Sequence, residues 1–170
     1  RFYLYQSNWS DEPVLHLLPH WNWHDRIGQN VPVFCYTNYP KAELFVNGKS
    51  MGVKHKDKSN KYSRYRLMWS DVIYHPGEIR VVAYNEEDQP MAEKTIKTAG
   101  EPSKLRLTAD RETISAGGKD LSYVTVEILD EDGNLSPRAN NLLFFEVKGQ
   151  GKLKALCNGD PTDHTSFASN

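Results

Sequence analysis

Five consecutive residues, His20-Trp-Asn-Trp-His24, form the densest set of groups in this chain that could do chemistry. Three roles compete for them. The two indoles could stack on a sugar ring, whose C–H face is apolar and slightly positive. The two imidazoles, four residues apart, could ligate a metal if they shared one face of a helix. Pro19 and the pattern around it argue for a strand or loop, and no third ligand stands at a recognisable spacing. The third role is packing. Leu15, Leu17 and Leu18 lead straight into the cluster, so the tryptophans could wedge where a sheet meets its neighbour. Packing outweighs sugar contact, and sugar contact outweighs metal. The candidate carbohydrate-contact set is therefore His20, Trp21, Trp23 and His24. No residue is assigned as catalytic, and no metal or other cofactor is expected.

Other groups offer less. Lys54, Lys56, Lys58, Lys61, Arg64 and Arg66 make the one local run of positive charge, interleaved with Tyr62 and Tyr65. At a hairpin tip such a run is a solvated face before it is a site for phosphate or acidic glycan. Asp130-Glu-Asp-Gly-Asn134 has neither the spacing nor the flanking helices of a calcium loop and reads as a polar hairpin turn. Asn158-Gly-Asp-Pro161 reads as a turn for the same reason. Glu12, Glu43, Glu78, Glu86, Glu87 and Glu93 fall in turns or on strand faces, where nothing would hold two carboxyl groups at catalytic separation. No phosphate-binding glycine loop, dinucleotide fingerprint, nucleophile elbow or H-E-x-x-H motif is present.

The elements that must position these groups are short strands. The 170 residues hold 21 Lys plus Arg against 22 Asp plus Glu, a formal net charge of −1, so there is no broad basic field and no nucleic-acid partner is expected. Hydrophobic residues at 38% and aromatics at 11% are enough for packed cores. No apolar run approaches the roughly 20 residues that span a bilayer, so no membrane partner is expected. The opening residues lack the apolar core of a signal peptide. Residues 31–37, 42–46, 49–56, 62–69, 78–84 and 91–98 read as strands, with Asn47-Gly48 as a tight hairpin turn and Pro76-Gly77 as another turn. Residues 1–7 read as the tail of a helix or an extended arm. Residues 99–102 are small and breaker-rich, like a linker. The pattern then restarts with strands over 104–109, 121–129, 142–147 and 152–157.

Strands at this spacing predict an all-β chain of two tandem immunoglobulin-like β-sandwich domains. The boundaries are 1–12 for a preceding tail or linker, 13–99 for the first sandwich and 100–170 for the second. About 70 residues is short for such a sandwich, so the second is expected to be incomplete. Cys35 and Cys157 fall in different sandwiches and are expected to be two unpaired, buried thiols.

Several blocks carry a family resemblance. Leu15-His-Leu-Leu-Pro-His-Trp-Asn-Trp23 and Ala42-Glu-Leu-Phe-Val-Asn-Gly-Lys-Ser50 stand in the first half. Leu121-Ser-Tyr-Val-Thr-Val-Glu-Ile-Leu-Asp130, Asp132-Gly-Asn134 and Asn158-Gly-Asp-Pro161 stand in the second. Together they resemble the C-terminal β-sandwich region of glycoside hydrolase family 2 enzymes, of the β-galactosidase-like branch common in gut Bacteroidetes. The resemblance implies that residues 1–12 are the end of a catalytic barrel. It implies that the two catalytic glutamates of retaining hydrolysis lie on that barrel, outside this chain, so that the chain alone is inactive. The implied partners are the chain's own catalytic barrel upstream and the carbohydrate substrate of the parent enzyme. The implied location is periplasmic or extracellular. A stand-alone carbohydrate-binding or adhesion module is the alternative, since fold alone does not settle function.

Overall fold

The computed structural model describes residues 1–160 and 162–167, in two compact units, Arg1–Ala139 and Asn140–Asn170. In the first unit, α1 (Phe2–Trp9) leads into β1 (Leu15–Leu18), β2 (Val33–Thr37), β3 (Lys41–Val46), β4 (Lys49–His55), β5 (Leu67–Trp69), β6 (Glu78–Tyr84) and β7 (Pro90–Lys97). Strands β1–β2–β5 form one antiparallel sheet, and β4–β3–β6–β7 form the other. The two sheets make a seven-stranded sandwich of immunoglobulin type.

The period-two pattern decides which side chains meet between the sheets. Val33 and Cys35 of β2 point inward with Leu67 and Trp69 of β5. Ala42 and Leu44 of β3 join Ile79, Val81 and Ala83 of β6 from the other sheet. Glu43 and Phe45 take the opposite face, as alternation from Leu44 requires.

Asn47 and Gly48 do form the two-residue β3–β4 turn, both with positive φ (48° and 79°), and Val46 pairs with Lys49 across it. Asn47 also reaches beyond its own hairpin. Its Oδ1 accepts the Glu78 N–H at 2.7 Å and its Nδ2 donates to the Pro76 carbonyl. Gly77 sits beneath that side chain at φ 135°, and a Cβ there would lie 2.0 Å from Asn47 Oδ1. The Asn-Gly pair thus turns one hairpin and clamps the entry to β6.

The helix alternative for the first residues is the one realised. At eight residues α1 is too short to persist alone. It rests on the outer face of the three-stranded sheet, where Tyr3 stacks on His16 at 3.6 Å and His16 faces Tyr36. Residues 62–66 depart from the strand expected there, and only Leu67–Trp69 pairs. Before it, Asp57 Oδ1 accepts the Ser59 N–H, and Asn60 Oδ1 accepts those of Tyr62 and Ser63. These side chains take the donors that a ladder would need.

Within residues 99–102, the first two are tied to neighbouring elements. Ala99 is buried, and its N–H and C=O are both bonded to the Asn22 amide. Beyond it, β8 (Lys104–Ala109) and β9 (Val124–Leu129) pair antiparallel, with Leu105 opposite Ile128 and Leu107 opposite Val126. Leu107 is 62% exposed, so this ribbon has an uncovered apolar face.

In the second unit, residues 142–147 and 152–157 form no strand, contrary to the sequence reading. An apolar run becomes a strand only when its backbone N–H and C=O groups find a ladder. The Leu156 N–H bonds to the Phe167 carbonyl, but no ladder forms among the described residues here, and Phe144 is 89% exposed. Cys157 is exposed rather than buried, while Cys35 is buried and both are free. Side chains of Asn158, Asp160 and Asp163 each accept a backbone N–H two residues on, making successive Asx turns. Pro161, the last residue of the expected 158–161 turn, lies outside the described residues.

Candidate functional site

Strand β1 ends at Leu18, and a cis Leu18–Pro19 bond opens the loop that carries the histidine–tryptophan cluster. A strand would point Trp21 and Trp23 to the same side. The chain instead turns into a 3-10 helix over His24–Arg26, closed by the Arg26 N–H on the Trp23 carbonyl, and the two indoles diverge.

Trp21 goes inward. It has no exposed surface, packs edge-on against Tyr74 at 4.9 Å and donates its indole N–H to the His75 carbonyl at 3.1 Å. Its own carbonyl accepts the Thr98 hydroxyl. This removes Trp21 from the carbohydrate-contact set, because a ligand has no face of it to touch. Between the indoles, the buried Asn22 grips Ala99 with both ends of its amide.

Trp23 stays half-buried at the surface. The His20 ring stacks on it at 4.2 Å and 23°. The Arg26 guanidinium lies 5.0 Å from its ring centroid, and that of Arg138 lies 5.9 Å away. Its indole N–H is buried without an acceptor among the described residues. Arg138 also forms an ion pair with Asp25. The hydrogen bond from Arg138 holds the Asp25 carboxyl below the usual carboxylate range.

His20 accepts the Asn22 N–H at Nδ1, so this nitrogen carries no proton. Burial, and then the charge of Arg138, lower its pKa. His24 is exposed at the start of the 3-10 turn. Among the described residues, no three His, Cys, Asp or Glu side chains converge as a metal site would require. The arrangement offers an aromatic and cationic surface patch of His20, Trp23, Arg26 and Arg138. Nothing in it supplies a nucleophile or a pair of carboxyl groups.

The other candidates resolve into packing. Lys61, Arg64 and Arg66 lie over the rings of Tyr62, Tyr65 and Phe34, and Lys56 donates to the Thr37 carbonyl. The Asp130 carboxylate is filled by the N–H of Gly100 and the backbone and side-chain N–H groups of Asn134. Chiefly the Asn134 side chain, then the Gly100 N–H, hold its pKa down at about 2. Sequence reasoning missed Asn22, Asp25, Arg26 and Arg138. Arg138 stands 113 residues from its partner Asp25, and no local pattern marks it.

A seven-stranded sandwich followed by a second β segment defines an all-β sandwich region. The chain belongs to the C-terminal regions of glycoside hydrolase family 2. Residues 105–170 match the family described as glycoside hydrolase family 2 C-terminal domain 5, and residues 28–92 match a domain of unknown function, DUF4982. The chain is 49% identical over 167 residues to the β-galactosidase BoGH2A of Bacteroides ovatus, across 98% of this chain and 19% of that protein. It is 29% identical over 150 residues to a β-glucuronidase of Formosa agariphila, across 87% of this chain and 15% of that protein. The crystal structure of a glycosyl hydrolase family 2 member from Bacteroides cellulosilyticus superposes with a TM-score of 0.84 at 33% identity, covering 99% of this chain and 25% of the other. The chain therefore spans less than a fifth of the length of these curated relatives.

Proposed function

We propose that this chain is the non-catalytic C-terminal accessory region of a β-galactosidase-like glycoside hydrolase, bracing a catalytic barrel and shaping its substrate mouth through His20, Trp23 and His24. The observation that carries the bracing role is the uncovered aromatic side of α1. Phe2 is 68% and Trp9 81% exposed, while the same helix is held to the sandwich by the Tyr3–His16 stack. Beside it, Leu18, Pro19, Pro32, Phe34, Tyr36 and Arg66 line a shallow open groove on the sheet's outer face. Apolar surface of this kind marks a partner. The partner fitted to it is the catalytic barrel of the same polypeptide, because the relatives are more than five times longer than the aligned part. The substrate would be a terminal β-galactoside or a related β-glycoside. An adhesion module would need a free aromatic platform, and of the two indoles only a partly covered Trp23 remains.

The test compares the 170-residue chain with the longer polypeptide that contains it. The chain alone is expected to leave nitrophenyl β-galactoside intact, because on this reading the two carboxyl groups of retaining hydrolysis stand on the catalytic barrel. Robust turnover by the chain would overturn the accessory reading. Trp9→Ser is expected to lower the inactivation temperature of the longer polypeptide and leave the melting of the 170-residue chain unchanged. Equal effects on both would remove the bracing role. Trp23→Ala in the longer polypeptide is expected to raise KM about tenfold, roughly 1.4 kcal/mol, without abolishing turnover. Unchanged kinetics would take the loop away from the substrate mouth.

A further inference from the structure

We propose that Arg138 is a positioning residue for Trp23, through which the segment after β9 sets the orientation of the loop over residues 20–26. The guanidinium of Arg138 does two things at once. It covers the Trp23 ring at 5.9 Å, and it pairs with Asp25 on the 3-10 turn that closes the loop. His20, stacked on the same indole at 4.2 Å, and Arg26, 5.0 Å from its centroid, hold the ring from within the loop, and Arg138 adds a contact from a residue distant in sequence.

The chain leading to Arg138 is itself tied down. Asp130 accepts the Gly100 N–H, and Leu129 bridges to Leu135. The Ser136 N–H bonds to the Ile128 carbonyl, and the Ala139 N–H bonds to the Ser136 carbonyl. Asn22 closes the circuit from the other side by holding Ala99, next to Gly100. A guanidinium on a tethered base can hold a ring in one orientation where a free surface arginine could not, since it has less conformational freedom to lose.

The kinetic arm of the test rests on the proposed substrate-mouth role of the loop, and the spectroscopic arm does not. The longer polypeptide is labelled with 5-fluorotryptophan, and its 19F resonances for Trp21 and Trp23 are assigned by single Trp→Phe variants. Arg138→Ala is expected to move the Trp23 resonance and leave that of Trp21 in place. It is also expected to raise KM for nitrophenyl β-galactoside about threefold with kcat unchanged. Asp25→Asn, which keeps the guanidinium but removes the ion pair, is expected to move the Trp23 resonance less, and it serves if Arg138→Ala fails to fold. A Trp23 resonance unmoved in both variants overturns the proposal. A moved resonance with unchanged KM upholds the positioning role and overturns the substrate-mouth reading instead.

Discussion

In Trp21→Ala an indole is removed from a site with no exposed surface, where it packs on Tyr74 and satisfies the His75 carbonyl. Burial of an aromatic ring of this size covers about 150–250 Å², worth about 4–6 kcal/mol at about 25 cal/mol per Å² as an upper figure. Large-to-small substitutions of buried tryptophan cost about 3–5 kcal/mol, so about 4 kcal/mol is expected here. Against a typical total of about 5–15 kcal/mol, that is a large share of the fold's stability. Trp21→Phe keeps a ring against Tyr74 but loses the indole N–H, and about 2 kcal/mol is expected from the lost bond and the smaller ring. The assay is urea denaturation of the 170-residue chain, followed by far-ultraviolet circular dichroism so that loss of a fluorophore does not confuse the signal. Trp23→Ala is the control, and its partly buried ring is expected to cost less than Trp21, about 1–2 kcal/mol. A loss below about 1 kcal/mol in Trp21→Ala would refute the packing argument.

Further outcomes are expected. Gly77→Ala places a Cβ against Asn47 Oδ1 at a φ that L-residues avoid, so it is expected to destabilise the sandwich by about 2–3 kcal/mol in the same assay, and an unchanged midpoint would count against the clamp. Thiol titration is expected to find two free groups after denaturation and only Cys157 reacting promptly in the native chain. Burial pushes the Cys35 thiol up to about 12, so the unfolded chain ionises first as pH rises above about 8.5, and stability is expected to fall from there towards pH 12; a flat profile would refute this. Asp130 works in the opposite sense: its depressed pKa gives stability that is present above about pH 4 and lost as pH falls towards 2, and the protection of the Gly100 and Asn134 amides, relative to their intrinsic exchange rates, should fall over that range.

Much of the first sandwich is local and was legible. Asn47-Gly48 demands positive φ at two successive residues, and residues 78–84 alternate so that Ile79, Val81 and Ala83 share one face. These depend on near neighbours and period two, which a linear sequence displays. The loop over residues 20–26 is different. Both indoles look equally available in the sequence, and burial separates them only when the chain leaves strand geometry after Pro19, Trp21 entering the core and Trp23 packing at its edge. Asn22 reads as a polar spacer until Ala99 is brought beside it. The apolar runs at 142–147 and 152–157 look like strands because composition reports what a strand would bury and says nothing of whether a ladder partner is there. Arg138 carries no signal at all, because its meaning comes from Asp25 and Trp23, more than a hundred residues away along the chain. The sequence determined the strands at 33–37, 41–46, 49–55, 78–84 and 90–97, their faces and the tight turn, but neither the strand at 15–18 nor the turn structure at 62–66. Only tertiary structure decided which tryptophan is core, which is surface, and which distant residue holds it, because those outcomes depend on contacts that chain order does not encode.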